Sequence, residues 1–149
     1  MRQLDLPPVW LAGAVVLAWL QARYLPLGLS FGGAWSDFVG GLLVGGGILL
    51  MVLGLVELRR GRTTIHPHHE ASRLVQTGIF SRSRNPIYLA DVLILAGLAL
   101  RWDAVLSLAL VPVLFWVLET RFIIPEENRL RRQFRADFAR YAQKTRRWL

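Results

Sequence analysis

The apolar positions of this chain fall into long unbroken runs rather than one face of a soluble helix, and the polar positions gather between them. The first run predicts a span over about residues 8–26, with Pro7 and Pro8 where a helix start tolerates proline. Further spans are expected over about 37–58, 86–100 and 104–118, the last bent near Pro112. The third and fourth hold only about 15 apolar residues each, short of the ~20 that cross a bilayer, so they extend through their flanks or form a hairpin packed on protein. After Pro125, residues Leu130, Phe134, Phe138, Tyr141, Thr145 and Trp148 recur at three- and four-residue steps. They mark an amphipathic basic helix over 126–147. The pattern therefore predicts an all-α integral membrane protein forming a single domain over 1–149. It would have about four transmembrane helices, a polar loop over 59–85 and a C-terminal amphipathic basic helix. Gln21, Arg23, Tyr24 and Pro26 follow the first run instead of a small-residue cleavage pattern, which favours a retained helix over a signal peptide.

Composition agrees: 54% of residues are apolar and the mean hydropathy is +0.39. The net charge of +8 could point to nucleic acid, but the arginines cluster beside apolar runs and no nucleic-acid-reading motif accompanies them. Arg2, six arginines between the second and third runs, and nine basic residues after the fourth share one side, against Arg23 and Arg101 on the other. The positive-inside rule then expects both termini and the 59–85 loop in the cytoplasm. The chain has no cysteine, which excludes disulfides, thiolate metal sites and a cysteine nucleophile. Glycines within the second run are embedded in apolar sequence without a preceding strand, so they do not form a phosphate-cradling loop. Gly41 and Gly45 instead make a G-x-x-x-G pair suited to close helix packing. His66, His68, His69 and Glu70 could ligate a metal. Pro67 and the surrounding basic loop deny them a helical frame, so they are read as an interfacial loop with no metal.

Two polar constellations flank the last two runs. Arg84, Asn85 and Tyr88 stand at the entrance of the third run; Arg121, Glu126 and Glu127 stand beyond the fourth. Only Arg101, Trp102 and Asp103 join the two runs, so an antiparallel hairpin brings both constellations to one end. Each residue taken alone could be a topological arginine, a helix cap or an interfacial tyrosine; their convergence favours a site. Asp91 lies one turn after Tyr88, and an ionisable group at that depth faces either an acceptor pocket or an internal arginine.

"LVQTGIFSRSRNPIYLA", followed some forty residues later by "PEENRLRRQFRADFARYAQKTRRWL", resembles the isoprenylcysteine carboxyl methyltransferase family and its bacterial relatives, with phospholipid methyltransferases as cousins. The likeness runs from about Thr63 to Leu149. It implies a membrane-embedded methyltransferase of the bacterial inner membrane that uses S-adenosylmethionine. The acceptor would be an isoprenylcysteine-like carboxylate or another lipid, met at the cytoplasmic membrane face. It implies that Leu74, Val75, Phe80, Asn85, Pro86, Ile87, Tyr88 and Glu126 bind the cofactor, and that Arg84, Glu127 and Arg121 serve catalysis. Partners would be the bilayer and a lipophilic acceptor, with neither nucleic acid nor metal. Four positions depart from the family pattern: Asn85 replaces a histidine, Arg135 a glycine, Phe138 a tyrosine and Asp91 an apolar residue. An NADPH-dependent membrane reductase and a non-catalytic membrane scaffold are the competing readings.

Overall fold

The computed structural model describes residues 6–61 and 74–148, and among these it is all-helical. Helix α1 covers Pro7–Tyr24 and α2 covers Ala34–Arg60; a short 3₁₀ turn at Gly78–Ser81 leads to α3, Pro86–Arg101. A second 3₁₀ turn, Val105–Ala109, opens α4, Leu110–Leu118. A π turn at Glu119–Ile123 then joins α4 to α5, Ile124–Phe134, and α6 covers Ala136–Lys144.

The expectation of four spans is overturned. Among the described residues, two helices are long and apolar enough to cross a membrane: α2, with 27 residues, and the continuous helix Val105–Phe134, with 30. Helix α3 has 16 residues, about 24 Å at 1.5 Å per residue against a hydrocarbon core of ~30 Å. Helix α1 has 18 residues, but two prolines, Gln21 and Arg23 dilute its apolar run. The fourth expected span and the start of the expected tail helix are one helix. Pro125 has no N–H to donate, and the ladder changes register just before it: the Ile124 N–H reaches back to the Glu119 carbonyl, a five-residue step. The helix thereby passes through the proline instead of stopping.

The tail helix, expected over 126–147, breaks at Arg135 (φ 47°, ψ −112°). A Cβ is strained in that backbone region, and in the resembling family a glycine stands there. Arg135→Gly is therefore expected to stabilise the protein by about 1 kcal/mol. Arg135→Ala, which removes the charge but keeps the Cβ, should gain nothing. Thermal melting of both variants in detergent decides between strain and charge.

Helices α2 and α3 pack through Gly40, Gly47 and Gly54, a seven-residue stripe rather than the Gly41/Gly45 pair. A Cβ on Gly40 would meet the Gly97 carbonyl oxygen at 2.6 Å, whereas one on Gly45 would meet nothing within 4 Å. Ile94 fills the space beside Gly47, and Ile87 the space beside Gly54. On its other side α3 contributes Tyr88, Val92 and Leu95 to a core with Ala18 of α1, Leu114 and Leu118 of α4, and Phe122 and Ile123 of the π turn. The Gln21 side-chain oxygen accepts from both the backbone N–H (3.2 Å) and the hydroxyl (2.7 Å) of Ser107, tying α1 to the start of α4. At the α3–α4 turn, Asp103 Oδ1 accepts the Phe31 N–H at 2.7 Å, which holds its carboxyl below the usual carboxylate range. These contacts fold α3 and α4 back on each other and fix the end where Pro86 and Ile124 lie.

Candidate active site

Residues 119, 122, 123, 126 and 127 follow each other at three- and four-residue steps and form one stripe across the π turn and α5. Phe122, Ile123 and Glu127 on that stripe are buried, whereas Arg121 and Ile124 beside it are exposed. Two carboxylates are thus carried into the interior opposite the start of α3.

The two sequence constellations meet there. The Tyr88 hydroxyl donates to Glu126 Oε2 at 3.0 Å, and its ring stacks on Phe122 with centroids 6.3 Å apart. Arg84 Nε donates to Glu127 Oε1 at 3.2 Å. A second guanidinium grips the same carboxylate as a fork: Arg147 Nε reaches Oε1 at 3.2 Å and its Nη2 reaches Oε2 at 2.8 Å. Glu127 is 4% exposed. Arg147 also pairs with Glu119 at 3.1 Å, while the Trp148 indole N–H points at Glu119 (3.4 Å) and its ring stacks on Phe115 at 4.1 Å. Glu127, then Glu119, hold Arg147 still more firmly protonated than an ordinary arginine.

Arg84 and Asn85 also bind the chain's tail. Arg84 Nη1 donates to the carbonyls of Ala142 (3.0 Å) and Thr145 (2.8 Å), satisfying groups left open at the end of α6. The Arg84 N–H donates to the Arg146 carbonyl at 3.0 Å, and Asn85 Nδ2 to the Arg147 carbonyl at 2.9 Å. Asn85 sits at the N-terminal boundary of α3 and is 5% exposed. An amide suffices for this bond, so the histidine of the family pattern is not needed for it. The Tyr141 hydroxyl donates to the Phe80 carbonyl at 2.7 Å; burial pushes that hydroxyl above its ordinary pKa.

Of the residues singled out from sequence, Arg84, Asn85, Tyr88, Glu126 and Glu127 come together, and Phe80 joins them through Tyr141. Pro86 and Ile87 face Gly54 of α2, and Val75 packs on Gly61 at the end of α2. Leu74, next to it, is half-buried. Arg121 is exposed, with its guanidinium 5.4 Å from the Trp10 ring of α1. His66, His68, His69 and Glu70 lie outside the described residues. Asp91 is 2% exposed, and its Oδ2 is the buried side-chain polar atom without a hydrogen-bond partner among the described residues.

Sequence reasoning missed Glu119, Tyr141, Arg147 and Trp148. Glu119 carried a readable signal, since an ionisable residue ending an apolar run is costly unless partnered. Tyr141 and Trp148 fall on the apolar stripe of the expected tail helix, which gives them no role in the site, and Arg147, at its basic end, turns inward to Glu127.

The sequence model of the phospholipid methyltransferase family matches residues 35–137, more than two-thirds of the 149 residues. The match runs from the start of α2 into α6. It falls on the cousin family rather than on isoprenylcysteine carboxyl methyltransferases, and it lends nothing to the reductase reading. No curated protein and no solved structure matches the chain. The chain belongs to the phospholipid methyltransferase family, small membrane-associated enzymes whose methyl donor is S-adenosylmethionine.

Proposed function

We propose that the protein transfers the methyl group of S-adenosylmethionine to a lipid-borne acceptor at the arginine-rich, cytoplasmic face of the membrane. The observation that carries this reading is the meeting of Arg84, Asn85 and Tyr88 with Glu126 and Glu127 at the open end of the α3–α4 hairpin.

The residues present suit the cofactor's chemistry. Its sulfonium and ammonium groups are cations and its ribose presents hydroxyl donors. Here the Tyr88 hydroxyl bonds Glu126, and Asp91, one turn further along α3, has an Oδ2 without a donor among the described residues. Such acceptors hold cations and hydroxyls by charge-assisted hydrogen bonds. When bound, S-adenosylmethionine would supply an electrophilic methyl on positively charged sulfur, with the neutral thioether S-adenosylhomocysteine as the leaving group.

The chain's own work is then to hold, align and exclude water. Glu126, bonded to the Tyr88 hydroxyl and near the Arg129 charge, is the carboxylate that would accept from the cofactor. The oxygens of Glu127 are both taken by guanidiniums, so Glu127 acts as a positioning residue that locks Arg84 and Arg147. Arg84 pins the tail across the start of α3, and the Trp148–Phe115 stack closes that side against water. Phe122 is packed in the core and stacks on the Tyr88 ring, which fixes the position of the hydroxyl facing Glu126.

The test is calorimetric titration of the folded protein in detergent with S-adenosylhomocysteine, the demethylated product. One saturable site per chain is expected. A flat titration with folded protein, as a non-catalytic scaffold requires, would overturn the proposal.

A further inference from the structure

Helix α2 leaves the apolar phase at its last turn, where Glu57, Arg59 and Arg60 replace the aliphatic run. That turn packs against the 3₁₀ segment at Gly78–Ser81. Gly78 has φ +59°, and a Cβ there would meet the Glu57 side chain, so glycine lets the carboxylate lie against the backbone. The Thr77 hydroxyl donates to Glu57 Oε2 at 2.9 Å, and the Arg60 guanidinium lies 3.6 Å from Oε1. Glu57 is thereby occupied within the chain.

Between these elements is a groove of about 310 Å³, lined by Leu53, Val56, Ile79, Glu57, Arg60 and Arg82. That volume is at the lower end of small-ligand pockets. Its lining is divided: Leu53 (44% exposed) and Val56 (45%) form an apolar wall on a helix fit to span the membrane, and Arg60 and Arg82 are the cations. The wall is continuous with the exposed apolar residues Leu49 and Val52 of α2, and Arg60 and Arg82 stand at the end of that run. Neighbouring residues of this 3₁₀ turn diverge: Ile79 lines the groove, whereas Phe80 is buried and hydrogen-bonded to α6. The groove is thus separate from the Glu126–Glu127 cluster.

We propose that this groove seats an anionic phospholipid, its phosphate held by Arg60 and Arg82 and its acyl chain lying along Leu53 and Val56. Two cations face one acid already bound by Thr77 and Arg60, so the surplus positive charge selects a net-negative headgroup over a zwitterionic one. The occupant is a resident lipid that holds the end of α2 at the membrane interface, distinct from the methyl acceptor.

The experiment measures retention by the purified full-length protein of phosphatidylglycerol, phosphatidylethanolamine and diacylglycerol with matched chains, using native mass spectrometry. Wild type should retain one phosphatidylglycerol, at least tenfold in preference to diacylglycerol, and resist displacement by millimolar inorganic phosphate. Arg60→Ala with Arg82→Ala should cut retention at least tenfold, while Arg60→Lys with Arg82→Lys keeps most of it and Arg59→Ala changes nothing. Val56→Trp, which fills the apolar limb and leaves both cations, should also lose the lipid. Should the alanine pair fail to fold, the Val56→Trp and lysine variants carry the decision. Equal retention of phosphatidylglycerol and diacylglycerol, release by inorganic phosphate, or wild-type retention in Val56→Trp would each overturn the proposal. S-adenosylhomocysteine titration of the same samples is expected to be unchanged, which separates this lipid seat from the methyl-transfer site.

Discussion

Glu127→Ala is expected to destabilise the protein by about 3–5 kcal/mol, the scale found when one partner of a buried ion pair is removed. Glu127 accepts from Arg84 and from both ends of the Arg147 fork, at 4% exposure, so its loss leaves two guanidiniums facing each other without the charge between them. Their remaining partners do not replace it: Arg84 keeps the Ala142 and Thr145 carbonyls, and Arg147 keeps Glu119. On this size of chain the melting midpoint should fall by on the order of 10 °C. Glu127→Gln keeps the shape but aims an amide N–H₂ at a guanidinium, and it should recover only part of the loss. A double-mutant cycle with Arg147→Ala isolates the pair, with a coupling of at least ~1 kcal/mol expected for bonded charges. If Glu127→Ala melts with the wild type, the carboxylate is not the clasp between α5 and the tail.

The separate ability of each helix to form was legible in the sequence; which helices run together was not. Counting apolar runs produced spans over 86–100 and 104–118 followed by a separate tail helix after Pro125, a residue type that ordinarily stops a helix. A π turn placed one residue earlier removes that stop, and no periodicity at 3.6 residues reveals a five-residue hydrogen bond. Similarly, the second run contains several glycines, and a four-residue spacing is only one way to pair them. Which spacing is used depends on the partner, and here Gly97, Ile94 and Ile87 of α3 select Gly40, Gly47 and Gly54. The meeting of Tyr88 with Glu126 was legible, since a three-residue connection forces a hairpin. Arg121 was misplaced from the same premise: it falls off the 119–122–123–126–127 stripe and lies over Trp10 instead. Arg135 was visible as a departure from a glycine, but only its φ of +47° explains why glycine suits that junction.

Glu126→Ala, in contrast with Glu127→Ala, is expected to act on ligand affinity more than on folding. Its hydrogen bond from the Tyr88 hydroxyl is worth about 1 kcal/mol or a little more and the nearby Arg129 charge adds to it, so the melting midpoint should shift by several degrees. A carboxylate that accepts from a cofactor's hydroxyls or ammonium contributes charge-assisted bonds, and two such bonds at ~1.5–3 kcal/mol each make a loss of at least 100-fold in affinity. Calorimetry with S-adenosylhomocysteine should therefore show Glu126→Ala binding at least 100-fold more weakly in folded protein. Tyr88→Phe provides the control: it removes the hydroxyl, leaves the ring on Phe122 and leaves the carboxylate. It should cost no more than about tenfold, the equivalent of one neutral hydrogen bond. The order matters more than either value, because a purely structural Tyr88–Glu126 pair would make the two variants alike. Equal affinities in Glu126→Ala and Tyr88→Phe would remove Glu126 from the cofactor site and leave the acidic face of α5 as packing alone.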